Sequence, residues 1–138
     1  MFGTPDPEAQ RRKSLREAAP GPLRDYLSTP FPRRDTEVDS LRLLAVDLET
    51  TGLHPKKDHV LSVGWVPIDG LSIDLSGARR VVVKPPPGVE VGQSAAIHGL
   101  TDDDIAQGVP LDDVLPEVLA ALRGRVLLAH FTDIEERF

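Results

Sequence analysis

The chain has 138 residues, 40% of them hydrophobic, with no cysteine and a formal net charge of −6. That length suits one domain, and the lack of cysteine excludes disulfides, thiolate zinc sites and thiol nucleophiles, so any metal must be held by oxygen or imidazole. The acidity falls in residues 41–138, with nine basic and fifteen acidic side chains. This excludes nucleic-acid binding through a broad basic face and leaves only a local, metal-assisted grip.

The N-terminus is polar and lacks the apolar core of a secretory signal. No apolar run approaches the roughly 20 residues that cross a bilayer. The expectation is a soluble cytoplasmic protein with no membrane partner. Residues 1–40 hold six of the thirteen prolines and balance seven basic against seven acidic groups. They read as a proline-rich, partly disordered arm, in which Gln10 to Ala19 suggests a short charged helix ended by Pro20-Gly21-Pro22. Tyr26, Leu27 and Phe31 are the side chains suited to fasten this arm to residues 41–138, the domain proper.

Leu41 to Val46 reads as a buried strand. Val60 to Ile68 forms a second, with Asp69-Gly70 as a hairpin turn. Leu71 to Leu75 and Ala78 to Lys84 supply a third strand, broken around Ser76-Gly77 and stopped by Pro85-Pro86-Pro87-Gly88. The three make an antiparallel meander. Short helices follow over Val91 to His98 and Thr101 to Gln107, the latter capped by Thr101 with Asp102 to Asp104 in its first turn. Leu111, Val114, Leu115, Val118, Leu119 and Leu122 keep helical spacing. Pro116 fits that helix if it starts near Asp112 or Asp113, and Gly124 ends it. Val126 to Ala129 reads as a short buried strand parallel to the first. A last helix starts near Thr132 and runs to Phe138 with no stop signal, so the chain reads as truncated at its C-terminus.

Chemistry concentrates in Asp47-Leu48-Glu49-Thr50-Thr51-Gly52-Leu53. Two carboxylates two residues apart on a strand share a face. Such like charges are unfavourable together unless a cation lies between them, and a divalent metal is the natural candidate. A second constellation runs from Ala129 to Glu135, with His130 at a strand terminus and Glu135 one helical turn on. If its strand lies parallel to and beside the first, Glu135 approaches Asp47 and Glu49 at the sheet's carboxyl edge. Three carboxylates suit Mg²⁺ or Mn²⁺. The third constellation is Ala96-Ile97-His98-Gly99-Leu100-Thr101, a histidine in a loop feeding a helix, open to a ligand role or a capped-loop role. His54 and His59 read as surface residues.

Together these pieces resemble the DnaQ-like (DEDD) 3′–5′ exonuclease family, which includes the proofreading epsilon subunit of bacterial DNA polymerase III. The resemblance spans about Leu41 to Phe138 and is carried by the Asp47–Leu53 motif, Ile97-His98-Gly99-Leu100-Thr101, and Arg123-Gly124 with Ala129-His130. It implies a ribonuclease-H-like α/β fold: a mixed sheet of an antiparallel three-strand meander, then a parallel strand, with flanking helices. It also implies metal-dependent release of nucleoside monophosphates from single-stranded DNA or RNA 3′ ends, linked to replication or repair, with a DNA polymerase as a possible partner.

On that template Asp47, Glu49 and Glu135 hold two divalent metals, Mg²⁺ or Mn²⁺. Thr50, Thr51, Gly52 and Leu53 line the 3′-nucleotide pocket, and His98 and His130 lie near the substrate. Phe131 stands where the family usually has Asn, and Ile134-Glu135 where it has Phe-Asp. The family's third motif, with its general base and fourth carboxylate, is absent from these residues, so the 138-residue chain is expected to be an impaired fragment. The competing expectations are a non-catalytic nucleic-acid- or protein-binding remnant of the fold, and an oligoribonuclease-like enzyme.

Overall fold

The structure is a computed structural model and describes residues 6–89, 91, 99–130 and 137–138. Within residues 1–40, two helices stand where the sequence suggested one. Helix α1 (Pro7–Glu17) starts earlier than expected because the Asp6 side chain accepts a hydrogen bond from the Glu8 N–H, and Pro7 suits the first turn. Helix α2 (Pro22–Ser28) follows directly. The Arg11 guanidinium joins them by donating to Glu8 and to the Leu27 carbonyl. Glu8 also accepts from the Phe31 N–H at 3.2 Å. Leu27 is buried, while Tyr26 and Phe31 meet at 6.1 Å between ring centroids.

Strand β1 (Arg42–Thr50) carries its apolar side chains at alternate positions. Leu44 and Val46 are buried and Leu48 packs beside them. Strand β2 (Val60–Asp69) pairs antiparallel with β1, from Arg42 opposite Asp69 to Thr50 opposite Val60, with an irregularity after Glu49. The tight turn consists of Gly70 and Leu71, one residue later than the Asp69-Gly70 expected, because Asp69 still pairs with Ser72. Gly70 has φ +60°, and its N–H donates to the Leu41 carbonyl. A glycine at the first central position of a type II′ turn supplies that angle without strain.

The third strand is broken where the sequence suggested. Strands β3 (Ser72–Ile73) and β4 (Arg79–Val82) both pair antiparallel with β2. Between them, the Asp74 carboxylate accepts from the Ser76 N–H to start a single 3-10 turn, Leu75–Gly77.

Helix α3 (Asp102–Ala106) begins at Thr101 with a reciprocal cap: Asp104 N–H donates to Thr101 Oγ1, and Thr101 N–H to the Asp104 carboxylate. The Thr101 hydroxyl also donates to the Asp104 carboxylate at 2.6 Å, and this bond first, then that from the Thr101 N–H, holds the Asp104 carboxyl below its ordinary range. The preceding helix suggested over Val91 to His98 lies outside the described residues, apart from Val91 itself.

Helix α4 (Leu111–Leu122) corrects one expectation. It starts at Leu111 rather than near Asp112 or Asp113, because extended Pro110 already accepts from the Asp113 N–H. Pro116 therefore sits in the helix interior, where it cannot supply the bond to the Asp112 carbonyl. Gly124, at φ +70°, ends the helix as expected.

Strand β5 (Val126–Leu128) then runs parallel to β1, with Leu43 opposite Val126 and Ala45 opposite Leu128. The described sheet has the order β3-β2-β1-β5, with β4 also on β2. A second correction concerns β5, expected to be buried. Its three side chains are 37–45% exposed, because β1 is its only strand partner among the described residues. The helix expected from Thr132 falls mostly on residues outside those described.

The main core lies between α4 and one face of the sheet: Val114 and Val118 meet Leu44, Val46, Val63, Trp65 and Val83. Leu44 is fully buried, so truncating it to alanine would cost about 2–5 kcal/mol. A second cluster joins Leu61 to Leu100 and to Ile105 of α3. Arg125, just before β5, donates to the Leu43 and Ile68 carbonyls and to Asp69. It thereby locks the start of β5 against both β1 and β2. Helix α2 packs on α4, and Arg123 donates to Thr29 Oγ1 at 3.3 Å.

Candidate functional site

With Leu44, Val46 and Leu48 turned toward α4, strand alternation puts Ala45, Asp47 and Glu49 on the opposite face. Asp47 is exposed and Glu49 half-buried at the carboxyl end of β1. Gly64 lies directly opposite Asp47 on β2, and Ser62 opposite Glu49. A Cβ on Gly64 would sit 3.8 Å from the Asp47 carbonyl oxygen, so the backbone does not demand glycine there. What its lack of a side chain does is leave space beside the carboxylate. Asp47, Gly64, Val66, Leu128 and His130 line a shallow groove in that space. Asp47 makes no ion pair among the described residues.

The parallel register carries the second constellation to the same place. Ala45 is opposite Leu128, the last residue of β5, and His130 beyond it lines the same groove as Asp47. His130 is exposed. Sequence reasoning placed this strand beside the first, and the structure pairs the two in parallel, with His130 lining the same groove as Asp47. Glu135 and His98 lie outside the described residues. Among the described residues, no three Asp, Glu or His side chains are gathered closely enough to hold a metal.

The turn after β1 is built differently from a simple run of small residues. Thr50 is buried, and its hydroxyl donates to the Gly52 carbonyl at 2.6 Å. The Thr51 hydroxyl accepts from the His59 N–H at 3.0 Å and donates to the Asp58 carboxylate at 3.3 Å. The Thr51 N–H donates to the His59 carbonyl, closing the loop on itself. Asp58 also accepts from the His54 N–H at 2.8 Å. Both threonine hydroxyls therefore hold the turn. Leu53 is 68% exposed.

Asp58 is the residue that sequence reasoning missed. A Cβ on Gly52 would come within 2.5–2.8 Å of the Asp58 carboxyl atoms, so glycine is what lets that carboxylate reach under the turn. In the sequence Asp58 looks like an ordinary polar residue before a strand, and only the folded loop reveals its partners. His59, read as a surface residue, is half-buried because its backbone pairs with Thr51; His54 is exposed as expected.

The exonuclease family RNase_T matches residues 44–135, from β1 through both carboxylate motifs. The chain belongs to the DnaQ-like 3′–5′ exonuclease family. It is 30% identical over 105 residues to a PolC-type DNA polymerase III of Thermotoga petrophila, a match covering 75% of this chain and 7% of that protein. The chain thus spans a small fraction of the length of the curated relatives it matches.

The fold is similar to that of cell-death related nuclease 4, with a TM-score of 0.60 at 18% identity, over 70% of this chain and 37% of that one. It is equally similar to the nuclease domain of 3′hExo, a DEDDh family member solved bound to rAMP, with a TM-score of 0.60 at 17% identity, over 75% of this chain and 57% of that one. The architecture is ribonuclease-H-like, as the sequence motifs implied. No described helix is long and apolar enough to cross a membrane.

Proposed function

We propose that this exonuclease domain releases nucleoside monophosphates from the 3′ ends of single-stranded nucleic acid with the help of divalent metal ions, in association with a replicative DNA polymerase. The observation that carries this reading is the carboxylate pair, Asp47 and Glu49, on one face of β1, with His130 lining the same groove as Asp47. The polymerase association is supported by the identity to a PolC-type DNA polymerase III.

The donor set fits a hard divalent cation. Asp47 and Glu49 offer oxygen, Asp47 has no cationic side chain beside it among the described residues, and the chain has no cysteine to compete. Asp47, Glu49 and Glu135 would hold Mg²⁺ or Mn²⁺. What such ions supply is charge stabilisation at the scissile phosphate and a more acidic attacking water. The remaining work belongs to the chain. The Thr50–Leu53 turn, braced by Asp58, forms a rigid wall for the terminal nucleotide, with Leu53 offering an apolar surface to its base. By the family resemblance, His98 and His130 would contact the substrate.

The sequence holds no counterpart of the family's third motif, which carries the general base. A general base contributes typically about 10²–10⁴-fold, so these 138 residues alone should hydrolyse slowly. The test is a time course with Mn²⁺ on a single strand labelled at either end. Stepwise loss of the 3′ label as mononucleotide, abolished by Asp47→Ala, is expected. Loss of the 5′ label first, or hydrolysis that survives Asp47→Ala, would refute the reading. Binding without any hydrolysis would favour a non-catalytic remnant.

A further inference from the structure

The acidic balance of residues 41–138 is locally reversed beside the Thr50–Leu53 turn. The His54 carbonyl accepts from both the Lys57 and Asp58 N–H groups at 2.8 Å, so the chain doubles back tightly there. Lys56 and Lys57 are left exposed at its tip. Asp58, the acid next in sequence, does not neutralise them: its carboxylate is turned under the loop onto Thr51 and the His54 N–H. Neither lysine forms an ion pair among the described residues. Arg42, Arg79 and Arg125, by contrast, are paired with Asp69, Glu117 and Asp69.

Lys56 and Lys57, with His54, Pro55 and Arg137, line an open groove of 540 Å³, and none of these described lining residues is acidic. That volume lies in the range of sites for nucleotide-sized groups, well above what a single ion needs. Two of the chain's four lysines stand here, on the loop that leaves the carboxylate end of β1.

The geometry points to this groove as a phosphate-backbone site: Lys56 and Lys57 hold the internucleotide phosphates of a single strand whose 3′ end lies at Asp47 and Glu49. The inference rests on the reading proposed above and supplies its missing element, a local grip for an acidic domain on an anionic polymer. The occupant is a single-stranded nucleic acid because the groove lies on the loop that leaves the carboxylate end of β1 and its described lining is basic. A dinucleotide, whose one phosphodiester is the scissile bond, does not reach it.

The experiment measures binding by fluorescence anisotropy, with a chelator present so that nothing is hydrolysed. It compares a dinucleotide with an oligothymidylate of about ten nucleotides, the site size expected of such grooves. Each phosphate contact on a single strand contributes about 0.7 to the salt slope, so Lys56→Gln/Lys57→Gln should lower the slope by about 1.4 and weaken binding of the longer strand about tenfold at low salt. Dinucleotide affinity should not change, and Lys56→Arg/Lys57→Arg should keep the wild-type slope. Both lysines are exposed, so the melting temperature should stay unchanged.

An unchanged slope and affinity for the longer strand would overturn the inference. So would an equal loss on the dinucleotide, or competition by polyglutamate as strong as by the strand. Because binding is read without turnover, lysine-dependent binding in a chain that never hydrolyses contradicts only the catalytic reading. Hydrolysis from 3′ ends with lysine-independent affinity contradicts only this one.

Discussion

Gly52 and Asp58 should behave as one unit, and a double-mutant cycle can show it. In the native chain the Asp58 carboxylate occupies the space that a Gly52→Ala methyl needs, at 2.5–2.8 Å. Asp58 must then move, and it loses its bonds to Thr51 Oγ1 and the His54 N–H. Two such hydrogen bonds, net of solvent exchange, are worth about 1–3 kcal/mol together. Asp58→Ala alone should cost a similar amount. In the Asp58→Ala background the obstruction is gone, and Gly52 does not adopt a left-handed φ.

There Gly52→Ala should be neutral or stabilising by about 0.4–1 kcal/mol, through reduced freedom of the unfolded chain. The predicted coupling is therefore about 1–3 kcal/mol, with the double variant no worse than Asp58→Ala. Trp65 is the chain's one tryptophan and is buried, so its fluorescence during urea unfolding reads all four species. With a slope of about 1–2 kcal/mol per molar urea, the coupling corresponds to a midpoint difference of about 0.5–3 M. An equal cost of Gly52→Ala in both backgrounds would refute the contact between them, and with it the bracing of the turn.

Pro116→Ala should raise the unfolding free energy by about 1 kcal/mol or more, seen as a higher urea midpoint, since it restores a bond to the Asp112 carbonyl inside α4; a lower midpoint would mean that the proline's stiffness outweighs the missing bond. Acid should loosen α1 from α2. Hydrogen bonding from Arg11, opposed by desolvation and aided by the Phe31 N–H, lowers the Glu8 pKa from 4.5 to about 2. A depressed carboxyl stabilises the fold fully above its unfolded pKa, and that contribution fades as pH falls from about 4.5 through about 2. Glu8→Gln should accordingly be destabilising at neutral pH by urea titration, with the difference from wild type shrinking as the solution is acidified; a constant difference would contradict the Arg11 pairing.

Much of the candidate site was legible in the sequence because it depends on local rules. The apolar run into Asp47 with Glu49 two residues on could share a strand face only one way, and the helical spacing from Leu111 to Leu122 dictated a crossover into a parallel β5. The broken third strand was visible in Ser76-Gly77. What escaped depends on partners distant in sequence or on the competition between them. Asp58 acts through a loop that must fold before its carboxylate meets Thr51. Pro110 nucleated α4 one residue earlier than Asp112, pushing Pro116 into the interior. The burial expected of Val126 to Leu128 followed from their apolar character, whereas exposure is set by what lies beside the sheet edge.

The claim at the centre of this account is that Asp47 and Glu49 are paired to hold a metal. The most direct test is the melting temperature of the chain across a Mn²⁺ titration, for wild type and for Asp47→Ala. A ligand that binds only the native state adds RT ln(1 + [L]/Kd), about 2.7 kcal/mol at a hundredfold excess over Kd. Wild type should melt progressively higher with Mn²⁺ while Asp47→Ala stays flat. A flat wild-type titration, or the same rise in both proteins, would contradict the claim.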